Sequence, residues 1–217
     1  MTEHIDPQSP HTRERVLLAA LSHVPFDGWS QAALSKAYKD AGLDDDAARL
    51  VFPEGVPELV EYFSTYTDEK MTQVLAAENI AAMKIRDRIT TAVRVRLELL
   101  ARHREAVRRT ATYFAMPQNA GLGLKCLAKT MDAIWRAVGD ESTDFSYYTK
   151  RMSLAGVYGS TLLYWLDDDS EGFADSFAFL DRRIGDVMEF HKVRERFSRG
   201  LDDVMSRVGS WFNRPPA

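Results

Sequence analysis

The groups that most often carry chemistry are sparse in this chain and far apart. Its five histidines are His4, His11, His23, His103 and His191. They form no HExxH and no Glu-x-x-His pair, the spacings that set metal ligands on one helix face. There is no GxSxG elbow and no phosphate-cradling loop. GLGLKC at Gly121–Cys126 has two glycines of a dinucleotide loop, but lacks the third and any strand before it. Cys126 is the one cysteine, so an internal disulfide is excluded and core filling in a reducing compartment is expected. His103, in HREAVRR, reads as a solvated or capping histidine. With no nucleophile and base, metal set or phosphate loop, catalysis by this chain is not expected, and no metal or cofactor is called for.

The apolar residues say more. Met83, Met131, Trp135, Met152, Tyr158, Leu162 and Trp165 are candidates to line a cavity between helices, although the same side chains would also suit a plain core. Near the C-terminus Val193, Phe197, Leu201, Val204, Val208 and Trp211 fall three or four apart, with Phe212 beside them. Arg194, Arg196, Arg199 and Arg207 lie off that stripe. Large apolar residues opposite basic ones make a helix suited to a membrane surface, or one that packs on the body. From Lys192 onward basic residues exceed acidic ones by three, which leaves −7 on residues 1–191 of a chain whose net charge is −4.

The elements that position these groups read as helices. The stretch Ser142–Asp169 opens on Ser, Thr and Asp, which cap helices, and closes on three aspartates. Its second half is apolar or small almost all round, so it is expected to be the central helix of a core. It is too short and too closely bracketed by charge for a membrane span. Other helices are expected from Thr12 to Val24, Gln31 to Asp40, Asp45 to Phe52, Glu58 to Asn79, Lys84 to Arg102, Arg104 to Ala115, Ala120 to Val138, Glu171 to Glu189 and Lys192 to Phe212, with a turn at Pro25–Gly28. The spacing predicts an all-α fold of about ten helices. A hydrophobic fraction of 45% and a charged fraction of 28% suit an ordinary globular core. The expected divisions are a disordered tail (1–10), a three-helix module (11–56), a helical bundle for ligand binding and dimerisation (57–190), and an amphipathic membrane-associating segment (191–217). The polar start MTEHIDPQSPHT carries no apolar signal region, so secretion is not expected.

The first three helices resemble the helix-turn-helix head of TetR-type regulators, whose third helix enters the major groove. Here the first turn of that helix is Asp44, Asp45 and Asp46, and Trp29–Phe52 carries three bases against four acids. Phosphate binding needs Lys and Arg, so the module is expected to keep the fold without nucleic acid as a ligand. A TetR-type, ligand-responsive transcriptional regulator is the alternative reading.

Five blocks carry a more specific resemblance: HVPFDGWS (His23–Ser30), MKIRDRI (Met83–Ile89), HREAVRR (His103–Arg109), DAIWRAVGDESTDFSYYTKR (Asp132–Arg151) and SEGFADSFAFLDRRI (Ser170–Ile184). In these the chain resembles the coenzyme Q (ubiquinone) biosynthesis accessory proteins of the Coq-nine family, in its alphaproteobacterial form. The resemblance implies a TetR-like fold that has lost DNA binding, a homodimer, a pocket for a polyisoprenoid quinone lipid or phospholipid, and a C-terminal membrane helix. It implies a cytoplasmic protein, peripheral on the inner face of the cell membrane, that helps a ubiquinone-pathway hydroxylase. It also implies that Asp144, Tyr147, Tyr148 and Arg151 form the patch that meets the hydroxylase, with Tyr147 standing where relatives usually have Trp. Asp144, Tyr147 and Arg151 share a helix face. Read from the residues alone, Asp144 could instead cap the helix while Arg151 pairs with an acid and Tyr147 packs locally.

Overall fold

The computed structural model describes residues 6–140 and 145–187, and the side chains of the central helix from Tyr147 onward. The described elements are helical: α1 (Pro10–Asp27), α2 (Gln31–Asp40), α3 (Asp45–Val51), α4 (Val56–Ala77), α5 (Ile85–Leu100), α6 (Arg104–Ala115), α7 (Ala120–Ala137) and α8 (Phe145–Leu166). A further helix, α9, covers residues 174–187. The all-α expectation holds. Asp144 and the whole of the expected Lys192–Phe212 helix, with Val193, Phe197, Leu201, Val204, Val208, Trp211 and Phe212, lie outside the described residues.

Local chemistry sets the helix starts. The side chains of Ser9, Ser30 and Asp44 accept from the backbone N–H groups of Thr12, Ala33 and Ala47, each satisfying a donor that the first turn leaves open. The Ser9 cap starts α1 at Pro10, two residues before the expected Thr12. Val16, Leu17, Ala20, Leu21 and Val24, three or four apart, form the buried face of α1. The expected turn at Pro25–Gly28 is not a break, because α1 runs through Pro25 to Asp27. A proline in the last turn forfeits one N–H donor, and the Pro25 carbonyl accepts from the Arg109 guanidinium at 3.0 Å. Gly28, at φ +66°, stops the helix and donates to the Val24 carbonyl at 2.9 Å, a left-handed position that suits glycine.

In the body α4 packs against α5 and α7, and α7 against α8. Helix α1 packs on α2 and also reaches α6 and α4, so one buried apolar cluster runs from Val16 to Ile184. Trp29 ties the first helices to α4 and α6: its ring lies 5.7 Å from that of Phe63, and its Nε1 donates to Thr110 Oγ1 at 2.9 Å. On α5 the apolar spacing Ile85, Ile89, Val93, Leu97 and Leu100 is buried from Ile89 onward, whereas Ile85 is exposed and Arg96 is buried.

The three aspartates after α8 have separate tasks. Asp168 accepts from the backbone N–H of Ser170 at 2.8 Å and of Ser176 at 2.9 Å. Burial works against its charge, but these bonds and the Ser170 and Ser176 side chains outweigh that, and its pKa lies well below the usual carboxylate range. Asp167 and Asp169 pair with Arg108 at 2.9 Å and Arg104 at 3.5 Å. The helix expected from Glu171 begins only at residue 174, because Gly172 and Phe173 both take positive φ, 61° and 58°.

Candidate functional site

Five helices of the body enclose a cavity of about 530 Å³, within the usual range for a small-molecule site. Its walls are apolar: Phe63 from α4, Leu100 from α5, Val107, Ala111 and Phe114 from α6, Leu127 from α7 and Leu162 from α8. Gly123 lets α6 and α7 close one wall, since a Cβ there would stand 2.9 Å from Phe114. That is the structural use of the GLGLKC stretch. At the outer end, Ala115, Ala120, Leu124 and Leu163 line the cavity and are exposed to solvent.

The inner end is different. Arg96 and Tyr158 line it, each only 5% exposed. The Arg96 Nε donates to Asp68 Oδ1 at 2.8 Å, and its other nitrogens reach the Tyr158 hydroxyl, Thr130 Oγ1 at 3.3 Å and Ser64 Oγ at 3.5 Å. Thr130 in turn donates to Asp68 Oδ2 at 2.9 Å. A buried charge must be paired and hydrogen-bonded to be tolerated, and this network meets that demand. Burial works against the Arg96 charge; Tyr158 and the Asp68 carboxylate outweigh it and keep its pKa above the ordinary value. Burial also raises the Tyr158 pKa, against the pull of Arg96, so the phenol stays protonated. Cys126 lines the cavity as well. Burial, helped by Glu61, pushes its thiol up to about 11, which makes it a poor nucleophile at neutral pH.

Of the seven residues expected to line a pocket, the fold brings two together here, Tyr158 and Leu162. Met131, Trp135 and Trp165 are core residues and do not line the cavity, while Met83 and Met152 are exposed. Sequence pattern separates apolar from polar faces but cannot tell a packed wall from a hollow one. Arg96, which lines the cavity, was missed, as was Thr130 in the network behind it. Arg96 falls between Val93 and Leu97 on α5, and a charged residue in register with a buried stripe was the available signal.

The expected patch on α8 is also rearranged. Tyr147 and Arg151 turn inward, not outward. The Tyr147 hydroxyl donates to Asp132 Oδ1 at 3.1 Å, and Arg151 reaches the same oxygen at 2.8 Å and Asp140 Oδ2 at 3.4 Å. The Arg151 guanidinium lies 3.4 Å from the centre of the Tyr147 ring. Tyr148, by contrast, is 66% exposed, and Met152 next along that face is 77% exposed. The reason is register. Tyr147 and Arg151 continue the buried spacing of Leu154, Tyr158, Thr161 and Trp165, whereas Tyr148 does not.

In the head, Asp44, Asp45 and Asp46 are exposed at the start of α3, and Arg49 is the base in its last turn. Among the described residues no group of three His, Cys, Asp or Glu side chains is placed to hold a metal ion. No described helix is long and apolar enough to cross a membrane.

The COQ9 family model matches residues 120–191, which include α7 and α8. The chain is 33% identical to the mitochondrial ubiquinone biosynthesis protein COQ9 of Rattus norvegicus, over 91% of this chain and 66% of that protein. To the human protein of the same name it is 32% identical, over 91% and 64%. To COQ9-B of Xenopus laevis it is 34% identical, over 91% of this chain and 70% of the relative. The chain belongs to the COQ9 family. It spans just under two thirds of the length of the mammalian relatives. A TetR transcriptional regulator from Nitrosomonas europaea superposes with a TM-score of 0.67 at 18% identity, over 81% of this chain and 97% of the regulator. That likeness establishes the TetR-like fold.

The blocks that carry the COQ9 resemblance are largely structural ties. In MKIRDRI, Arg88 donates to the carbonyls of Met83 at 2.9 Å, Val138 at 3.1 Å and Ala81. In HREAVRR, Arg104 donates to the Leu166 carbonyl at 3.0 Å, and Arg108 reaches the same oxygen. Asp132 and Asp140, at the two ends of the DAIWRAVGD segment, hold Tyr147, Lys150 and Arg151. His103 is half-buried before α6, where burial and the neighbouring Arg102 keep its pKa below the ordinary value.

Proposed function

We propose that this COQ9-family chain is a non-catalytic accessory protein of ubiquinone biosynthesis. It holds a polyprenylated quinone precursor in the α4–α8 cavity and presents it to a membrane-associated hydroxylase of the pathway. The cavity carries this reading. It is apolar along its walls, open through exposed leucines, and sized for a ring with part of a tail. Burying a polyprenyl chain is strongly favourable, at about 0.8 kcal/mol per CH₂, so covering the tail lowers the cost of lifting the ring from a bilayer. The curated relatives are named for ubiquinone biosynthesis, which supports the pathway.

The hydroxylase docks on the outer face of α8, through Tyr148 and Met152, an exposed aromatic and an exposed thioether on one stripe. The stripe continues to Gly156, where it pairs with a second copy in a homodimer, and Leu163 stays at the cavity mouth. Residues 191–217 bind the inner face of the membrane through their apolar stripe and basic flank. A TetR-type regulator is the rival that the fold favours, but three exposed aspartates at the first turn of α3 would repel phosphates.

Lipid extraction from the purified full chain, followed by mass spectrometry, tests the reading. A polyprenylated quinone or quinone precursor is expected in stoichiometric amount. Absence of any such lipid, together with salt-dependent binding to duplex DNA, would favour the regulator.

A further inference from the structure

We propose that the cavity holds its ligand head-inward and selects an uncharged head that bears hydrogen-bond acceptors, with Tyr158 as the residue that reads it. This rests on the lipid-holding function proposed above and adds the orientation and chemical class of the ligand.

The polarity of the cavity runs in one direction. Its outer end is hydrocarbon, with Leu124 and Leu163 exposed there. Its inner end holds Arg96, Tyr158 and Ser64. An apolar tail laid against the inner end would leave those groups dry and facing hydrocarbon, which is costly for polar atoms. A head with acceptor oxygens placed there matches both ends at once.

The inner end is also electrically balanced. Arg96 is held against Asp68 at 2.8 Å, and the second Asp68 oxygen is engaged by Thr130. The cation is therefore already neutralised inside the protein. A phosphate or carboxylate head would lose its hydration without meeting a surplus positive charge. A ring carbonyl or methoxy oxygen needs only a donor.

Tyr158 supplies that donor. Its hydroxyl oxygen accepts from Arg96, and among the described residues no acceptor takes its proton. Receiving a bond from a guanidinium polarises the hydroxyl and strengthens the bond it can give. The other hydroxyls at the inner end are turned to protein acceptors: Thr67 donates to the Phe63 carbonyl at 2.9 Å, Thr130 to Asp68, and Ser64, whose oxygen accepts from Arg96, faces Thr130 Oγ1 at 3.5 Å. The ligand class that fits is a quinone-type ring with carbonyl and ether oxygens and an isoprenoid tail leaving past Leu124 and Leu163. A head held this way is shielded from water. Transfer to the hydroxylase then requires release of the head after docking, not its display on the protein surface.

The test is equilibrium dialysis of the full chain, freed of lipid, with three probes sharing one two-isoprene tail. They end in a dimethoxybenzoquinone, in a methyl group and in a carboxylate. Wild type is expected to bind the quinone about tenfold tighter than either other probe, the factor that one good hydrogen bond supplies. Tyr158→Phe should bring the quinone down to the affinity of the hydrocarbon and leave the hydrocarbon unchanged. Equal binding of quinone and hydrocarbon by wild type, tighter binding of the carboxylate, or an undiminished preference in Tyr158→Phe overturns the proposal. The wild-type ranking decides even if the variant fails to fold. If wild type binds none of the three, the lipid-holding function falls and this inference with it; a flat ranking sinks the inference alone.

Discussion

The two faces of α8 are built from similar residues and do opposite things. The inner face runs Tyr147, Arg151, Leu154, Tyr158, Thr161 and Trp165, and most of its polar groups are tied down: Arg151 to Asp132 and Asp140, Thr161 to the Val157 carbonyl, Tyr158 to Arg96, with the buried Trp165 Nε1 left unpaired. The outer face runs Tyr148, Met152 and Gly156, and within the chain little covers it; a Cβ added at Gly156 would meet nothing within 4 Å. An aromatic or a charge on a helix is therefore no guide to surface function until its register is known. On the inner face such groups hold the bundle and floor the cavity. On the outer face they are open, which is where the proposed partner would dock.

That contrast can be broken most severely from the inside. Arg96→Met leaves the Asp68 carboxylate buried without its cation, a change that costs about 3–5 kcal/mol. Denaturant unfolding should show the loss as a lower midpoint with an unchanged slope. A stability equal to wild type would mean that the inner network is solvated.

Gly156→Leu probes the outer face with the opposite sign. In the monomer the new side chain meets open space, and replacing a helical glycine is worth up to about 1 kcal/mol of stability. In a dimer seam the same change overpacks the contact by about 1–3 kcal/mol. The variant should unfold no earlier than wild type yet dissociate at tens of micromolar, read by light scattering. A wild-type monomer at that concentration would remove the second copy from the account.

The neighbours Tyr147 and Tyr148 give the smallest and sharpest comparison. Tyr147→Phe removes the bond to Asp132 and should cost about 1 kcal/mol of stability. Tyr148→Lys, on the exposed side, should stay within about 0.5 kcal/mol of wild type but lose association with the hydroxylase in a pull-down. The reverse pattern, with Tyr147→Phe breaking association at unchanged stability, would restore the inward tyrosine as the contact residue.

Much of this fold was legible in the sequence. The buried face of α1 and the cap at Ser30 follow from spacing and residue type, because short-range rules decide them. The α1 helix running through Pro25 was not legible, since the carbonyl that Pro25 presents is claimed by Arg109, 84 residues away. The cavity was half legible. Tyr158 and Leu162 stood out as apolar groups on a central helix, but the charge that closes its inner end sits on α5 and its partner on α4. A buried ion pair leaves only a charged residue out of place in a stripe, and its meaning depends on a contact 28 residues away. The inward turn of Tyr147 and Arg151 could have been read from their spacing to Leu154 and Tyr158. The family resemblance named Asp144, Tyr147, Tyr148 and Arg151; of those described, Tyr148 is the exposed one.

The central claim is that the cavity serves ubiquinone synthesis, and one measurement reaches it directly. In cells lacking this chain, ubiquinone should fall and a precursor awaiting hydroxylation should accumulate. Restoring wild type should reverse both. Leu162→Trp, which fills the cavity from its wall, should be expressed at the wild-type level and melt within a few degrees of it, yet leave ubiquinone low and the precursor high. Full recovery of ubiquinone with the cavity filled would contradict the account.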